Sequence, residues 1–325
     1  MTILQVENLS VGYDTKKGIL KAVSHISFAV EKGRALGFVG ESGCGKTTIG
    51  MTLMGLLPEN GSIVSGSINF MGRQLAGISE SQWRSIRGRE IAMIFQAAMN
   101  ALNPVLRVGD QVAEAIITHH PDMPDDRINE RLESLFDMVG IPISRMSDYP
   151  HEFSGGMKQR VVIAMALACS PRLIIADEPT TALDVIVQDQ ILKAIKKIQK
   201  DLDTCLIFIS HDISVVAEVC DDICVMYAGQ IVESGSVNEV LGAPAHPYTK
   251  ALLASHLNLD PDENIHIPDR MQTPDLTCEI PGCRFSSNCR CSMDGSCSVK
   301  HPEWIDLGRT HRVLCCEKGL DRKIS

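Results

Sequence analysis

Gly40-Glu41-Ser42-Gly43-Cys44-Gly45-Lys46-Thr47 follows an apolar run, residues 35–39, and leads directly into a helical pattern over residues 47–57 that Pro58 is expected to stop. A loop of this spacing between a strand and a helix is built to wrap an anion. Its glycines let backbone N–H groups turn inward, and the helix amino terminus adds a favourable field. Lys46 is placed to reach the outer phosphates of a nucleotide, and the Thr47 hydroxyl to ligate Mg²⁺. The candidate nucleotide-binding set is therefore Gly40, Ser42, Gly43, Cys44, Gly45, Lys46, Thr47 and Thr48. Cys44 sits at a variable position of the pattern, and its thiol has no required task.

Working outward, short apolar runs at residues 4–9, 26–30 and 35–39 read as strands, with Lys32-Gly33 as a turn. Another strand at 91–95 ends at Gln96. From there to Met146 the apolar residues Val112, Ile116, Leu132, Leu135 and Val139 take helical spacing, as in an inserted helical lobe. Strands return at 173–176, 206–209 and 223–227, separated by helical segments at 187–198 and 215–219. This alternation predicts an α/β fold with a largely parallel sheet, covered on both faces, and ligands at the carboxyl ends of its strands.

The strand at 173–176 ends in two carboxylates, Asp177 and Glu178. Successive residues of an extended chain point to opposite sides, so the two are free to take different tasks. One suits the Mg²⁺ shell, the other the polarisation of a water for in-line attack on a terminal phosphate.

Bulk properties narrow the class further. At 325 residues the chain has room for one large domain and an appendage, a typical domain holding roughly 100 to 200 residues. A formal net charge of -9 disfavours a phosphate backbone as the main partner, because such binding draws on clustered Lys and Arg. The most apolar stretch, residues 161–169 between Arg160 and Arg172, falls far short of the roughly 20 residues a membrane crossing needs. The start of the chain has no basic segment followed by an apolar one, so a cytoplasmic protein is expected. Of the 12 cysteines, five are scattered before residue 225 and seven fall between Cys278 and Cys316. In a reducing compartment such a cluster points to a metal-binding tail.

Phe153-Ser154-Gly155-Gly156-Met157-Lys158-Gln159-Arg160 carries the chain closest to a known family, for this run resembles the signature element of the ABC ATPases. Phe153 and Met157 stand where the commonest family version has Leu and Gln. The resemblance implies that Ser154, Gly155, Gly156 and Met157 close over ATP held by a partner subunit. It also implies that Tyr13 stacks on adenine, that Gln96 contacts Mg²⁺ and water, and that Ala182-Leu183-Asp184 crosses a dimer interface at Asp184. His211 would contact the terminal phosphate, Glu178 would be the catalytic carboxylate, and Thr47, Gln96 and Asp177 would surround Mg²⁺. The fold it implies is an ABC-type phosphate-loop domain over 1–254, with a helical subdomain at about 97–165.

Residues 255–277, acidic and interrupted by prolines, form the expected linker to a cysteine-rich region at 278–325. Ala245-His246-Pro247-Tyr248-Thr249-Lys250 resembles a segment of the motor subunits of oligopeptide, dipeptide and nickel importers. Cys283, Cys289, Cys297 and Cys315 match that family's four-cysteine tail, and Cys278, Cys291 and Cys316 exceed it. Four thiolates suit either zinc or an iron–sulfur cube; the resemblance favours [4Fe-4S]. It further implies a peripheral protein on the cytoplasmic face of the inner membrane. Its partners would be a second, similar ATPase in a heterodimer, two membrane permeases and an extracytoplasmic binding protein. The rival expectation is a non-transport ABC ATPase acting on nucleic acid or ribosomes.

Overall fold

The protein is described by a computed structural model over residues 1–96, 101–181, 183–257, 273–289 and 296–316. The chain opens with β1 (Thr2–Thr15), β2 (Gly18–Glu31), β3 (Ala35–Val39), α1 (Lys46–Leu53), β4 (Gly61–Phe70) and β5 (Arg73–Gln74). It continues through α2 (Glu80–Ile86), β6 (Ile91–Ile94), α3 (Val108–His119), α4 (Asp125–Met138), α5 (Gly155–Ala166), β7 (Leu173–Asp177) and α6 (Val185–Asp201). Next come β8 (Cys205–Ser210), α7 (Ile213–Val219), β9 (Asp222–Tyr227), β10 (Gln230–Ser236), α8 (Val237–Gly242) and α9 (Pro247–Leu257). The last elements are α10 (Ser296–Val299), β11 (Glu303–Gly308) and β12 (His311–Cys315). Among the described residues no helix is long and apolar enough to cross a membrane.

The described chain divides into two compact units, the first made of Met1, residues 31–34 and residues 77–208. In it β6 and β7 run parallel and in register, from Ile91 opposite Leu173 to Ile94 opposite Ala176. Both are buried throughout, so near-continuous apolar runs suit them. Helix α3 buries Val108, Val112 and Ile116, and α4 buries Ile128, Leu132, Leu135 and Phe136. These are the one-sided helical faces expected from the spacing. Arg131 on α4 donates to the carbonyls of Leu167 and Ala168, supplying a partner for backbone acceptors just past the end of α5.

The second unit holds residues 2–30, 35–76 and 209–325. Here β1 pairs antiparallel with β4, and β4 with β5. Strand β3 is parallel to β9, but β9 with β10, β10 with β12, and β12 with β11 are all antiparallel. The expectation of a largely parallel sheet is therefore corrected to mixed sheets. One cause is local: β9 and β10 are joined by Ala228 and Gly229, both at positive φ (46° and 82°), the turn that best matches the twist of a two-residue hairpin. Helix α1 also ends earlier than expected, at Leu53, because Gly55 leaves the helix at φ 60° and its N–H bonds back to Thr52. Pro58 is not the stop.

Strand β10 carries a fully buried carboxylate, Glu233. It accepts the N–H groups of Ala245 (2.7 Å) and His246 (2.9 Å) and meets His311 Nε2 of β12 at 2.7 Å. A buried charge needs such partners, and here one acid joins three separate segments of the unit. The expected linker at 255–277 lies mostly outside the described residues, as do the start of the expected helical lobe, Ala182 and Cys291.

Candidate nucleotide-binding and catalytic elements

The phosphate loop occupies the turn between β3 and α1, in the second unit. Gly40 and Gly45 are glycine for steric reasons. Their φ angles are 156° and 104°, and an added Cβ would meet the Met226 carbonyl at 2.1 Å and the Ala22 carbonyl at 2.5 Å. The loop is thus backed closely by the chain behind it, while Ser42, Gly43 and Thr47 face solvent. Lys46 lies beneath, 5% exposed, with Nζ donating to the carbonyls of Gly40 (2.6 Å) and Glu41 (2.9 Å) and 3.6 Å from Cys44 Sγ. Burial pushes the Cys44 thiol pKa up, with Lys46 opposing, so this thiol stays protonated and inert. Burial also raises the Glu41 carboxyl, again against Lys46.

Tyr13, half-buried, donates its hydroxyl to Thr48 Oγ1 at 3.2 Å, which sets the ring beside the first turn of α1. His211 follows β8 and is exposed; the next residue, Asp212, caps α7 by accepting the Ser214 N–H at 2.8 Å.

The carboxylates belong to the first unit. Asp177 closes β7 and is 2% exposed. Glu178 sits at φ 45°, a left-handed conformation that costs a non-glycine residue about 1 to 3 kcal/mol. Its Oε2 accepts from Gln96 Nε2 (3.1 Å) and from Thr181 Oγ1 (2.9 Å). Parallel pairing of β6 with β7 is what makes the first contact possible, since it brings the carboxyl ends of both strands to one edge. Thr181 carried no signal in the sequence pattern.

In the same unit Ser154 caps α5, its Oγ accepting the Met157 N–H at 3.3 Å. Ser154 is exposed, Gly155 and Met157 are half-exposed and Gly156 is buried. A Cβ on Gly156 would meet Val187 of α6 at 2.4 Å, so glycine here permits close helix approach. Asp184 caps α6 through the Val187 N–H at 3.0 Å. An exposed helix start with a hydroxyl and no bulky side chain is chemically able to grip an anion.

The cysteine tail departs from expectation. Among the described residues no three His, Cys, Asp or Glu side chains gather closely enough to hold a metal ion. The thiols do share a neighbourhood: the Cys283 N–H donates to the Cys297 carbonyl at 2.7 Å. Burial, then the nearby Cys283, Cys289, Cys316 and Cys297, push the Cys315 thiol up to about 12. Burial and Cys297 raise Cys316 to about 11. Cys278 is exposed.

Among known proteins, residues 23–181 match the ABC transporter family, and residues 232–297 match the C-terminal region of oligopeptide/dipeptide transporters. The chain is 44% identical to the dipeptide transport ATP-binding protein DppD of Bacillus subtilis, over 96% of this chain and 94% of that one. It is 46% identical to the oligopeptide transport ATP-binding protein OppD of the same organism, over 96% and 87%. Among solved structures it is similar to cbiO1 of Clostridium perfringens, part of the ABC transporter complex cbiONQ, with a TM-score of 0.65 and 27% identity over 79% of this chain and 96% of that one.

Proposed function

The chain belongs to the ABC transporter ATP-binding proteins, in their oligopeptide/dipeptide branch, and from that premise we propose that it is the ATP-hydrolysing motor subunit of an importer for peptides or related small solutes. The observation that carries this reading is the phosphate loop, where a buried ammonium lies under an exposed turn packed too tightly from behind for any side chain at Gly40 or Gly45. Such a cradle suits a nucleotide's phosphates.

In this proposal Gly40, Ser42, Gly43, Cys44, Gly45, Lys46, Thr47 and Thr48 bind the phosphates, and Tyr13 stands at the adenine. Thr47, Gln96 and Asp177 would hold Mg²⁺, which neutralises charge on the phosphates. Glu178 orients and deprotonates the attacking water, and His211 steadies it. Ser154, Gly155, Gly156 and Met157 clamp the ATP of a second, similar subunit, with Asp184 at the dimer turn. The partners are that subunit, two permeases and an extracytoplasmic binding protein, and the protein sits at the inner face of the membrane. Its domains are the ATPase at 1–254, including a helical subdomain at about 97–165, a linker at 255–277 and a cysteine-rich region at 278–325.

For the tail we favour a [4Fe-4S] cluster on Cys283, Cys289, Cys297 and Cys315, with zinc as the alternative. What supports it is the short, irregular spacing of these four cysteines, the first three of which fall within residues 232–297, the match to the C-terminal region of oligopeptide/dipeptide transporters. Anaerobically purified protein should carry iron and labile sulfide; stoichiometric zinc without iron would overturn that assignment. For the function itself, affinity purification from membranes should recover two permeases and a second ATPase. Recovery of nucleic acid or ribosomes in their place would refute it.

A further inference from the structure

The phosphate loop's second residue, Glu41, directs its backbone N–H away from the cradle, to the hydroxyl of Tyr248 on α9 at 2.9 Å. Tyr248 is fully buried. Its ring lies 4.8 Å from Tyr227 and 5.7 Å from Phe285, and Phe285 also meets Tyr227 edge-on at 5.1 Å and His246 at 5.5 Å. Phe285 lies in the cysteine tail, between Cys283 and Cys289. Two further residues of that short segment reach the same wall. Arg284, its guanidinium largely buried, donates to the Ala228 carbonyl, and Asn288 Nδ2 donates to Tyr227 Oη at 3.0 Å. Gly229, next to Ala228, gives its N–H to the Cys44 carbonyl at 2.9 Å. The loop therefore has two anchors at its back, Tyr248 and the 228–229 turn, and the tail touches both.

We propose that Tyr248 is a positioning residue for the nucleotide: its hydroxyl fixes the first turn of the phosphate loop, and Phe285 of the cysteine tail seats its ring, so that order in the tail is read as nucleotide affinity. The proposal rests on the ATPase reading above and adds to it a residue and a route. A loop that must present several N–H groups to one anion gains affinity from being held in the bound shape beforehand. One buried hydrogen bond that serves this purpose is worth a few-fold to about tenfold in binding.

The test uses the full-length chain and MgATP in titration calorimetry, followed by kinetics in the assembled complex. Tyr248→Phe keeps the ring and removes only the hydroxyl. It is expected to weaken MgATP binding about three- to tenfold and to raise KM for ATP by a similar factor, with kcat at saturating ATP unchanged. A merely structural hydroxyl would lower the melting temperature without nucleotide and leave KM alone, and that result overturns the proposal. Phe285→Leu should weaken binding in the same direction, and should add nothing in the Tyr248→Phe background. A full additional loss there would show that the tail does not act through the hydroxyl. If the unaltered protein binds no ATP, the ATPase reading itself fails; if it binds and Tyr248→Phe binds equally well, only the positioning role fails.

Discussion

Gln96 and Glu178, which follow the neighbouring parallel strands β6 and β7, are joined by a hydrogen bond of 3.1 Å from the Gln96 amide to a Glu178 carboxylate oxygen. Thr181 holds the same oxygen from a second side at 2.9 Å. The acid is thus restrained at both its backbone, by the left-handed turn, and its side chain.

Glu178→Gln keeps the size of this side chain and an oxygen for Thr181, but removes the base. Binding of MgATP should stay within about twofold, while turnover by the assembled complex falls by roughly 100- to 10,000-fold, the usual contribution of a general base. Single-turnover hydrolysis beside equilibrium binding checks it. Unchanged hydrolysis would remove Glu178 from its role.

Lys46→Ala deletes the donor that serves the carbonyls of Gly40 and Glu41 and takes a positive charge from beneath the loop. Those two bonds hold the loop itself; the loss in affinity comes from the ammonium that would reach the outer phosphates, a charge-assisted contact of about 1.5 to 3 kcal/mol, so MgATP binding should weaken by roughly ten- to 100-fold. Calorimetric titration of the full-length chain measures it directly.

Gly156→Ala places a methyl group where Val187 Cγ1 already lies 2.4 Å away. Helices α5 and α6 must then separate or distort, at a cost of about 1 to 3 kcal/mol. Urea unfolding should show that loss. Hydrolysis in the complex should fall further than stability does if Ser154 and its neighbours grip the partner's ATP.

His246 gives a pH dependence. Burial lowers its pKa from 6.5 to about 4, with the Glu233 carboxylate opposing; His311 faces the same carboxylate from β12. The unfolded chain binds a proton below about pH 6.5 that the folded chain refuses until near pH 4. This contribution is therefore present in full above about 6.5 and is lost as pH falls toward 4, by up to about 3 kcal/mol. Unfolding measured from pH 7.5 to 4.5 should show the decline. His246→Asn, whose carboxamide oxygen is able to accept the Tyr248 N–H now bonded to Nδ1, should flatten it.

The parts of the fold that were legible in the sequence were those whose burial is uniform or strictly periodic. Strand β3, buried at every residue, ends where its apolar run ends, and the apolar spacing of α3 and α4 matches their buried faces. Strand β4, in contrast, buries only Ile68 and Phe70, carries serines and two glycines, and offers neither an apolar run nor a clean alternation. Strands β11 and β12 were hidden for a similar reason, each being short and broken by polar residues. At the candidate site, residues within one contiguous motif were readable because backbone geometry dictates their type. Tyr248 and Thr181 were not, because their partners are set by tertiary placement: the Tyr248 hydroxyl meets a backbone group 207 residues away.

Strand β10 is synthesised well before β12, the strand that covers its free edge, and Glu233 is made before the imidazole that faces it. A nascent chain halted between the two exposes an unsaturated ladder and an acid that water must solvate, both obstacles to closing this part of the core and both invitations to wrong pairing. The second unit is therefore expected to reach its final form late, once residues 311–315 have left the ribosome, and shortened versions of the gene that lack them should yield aggregates before they yield an isolated motor.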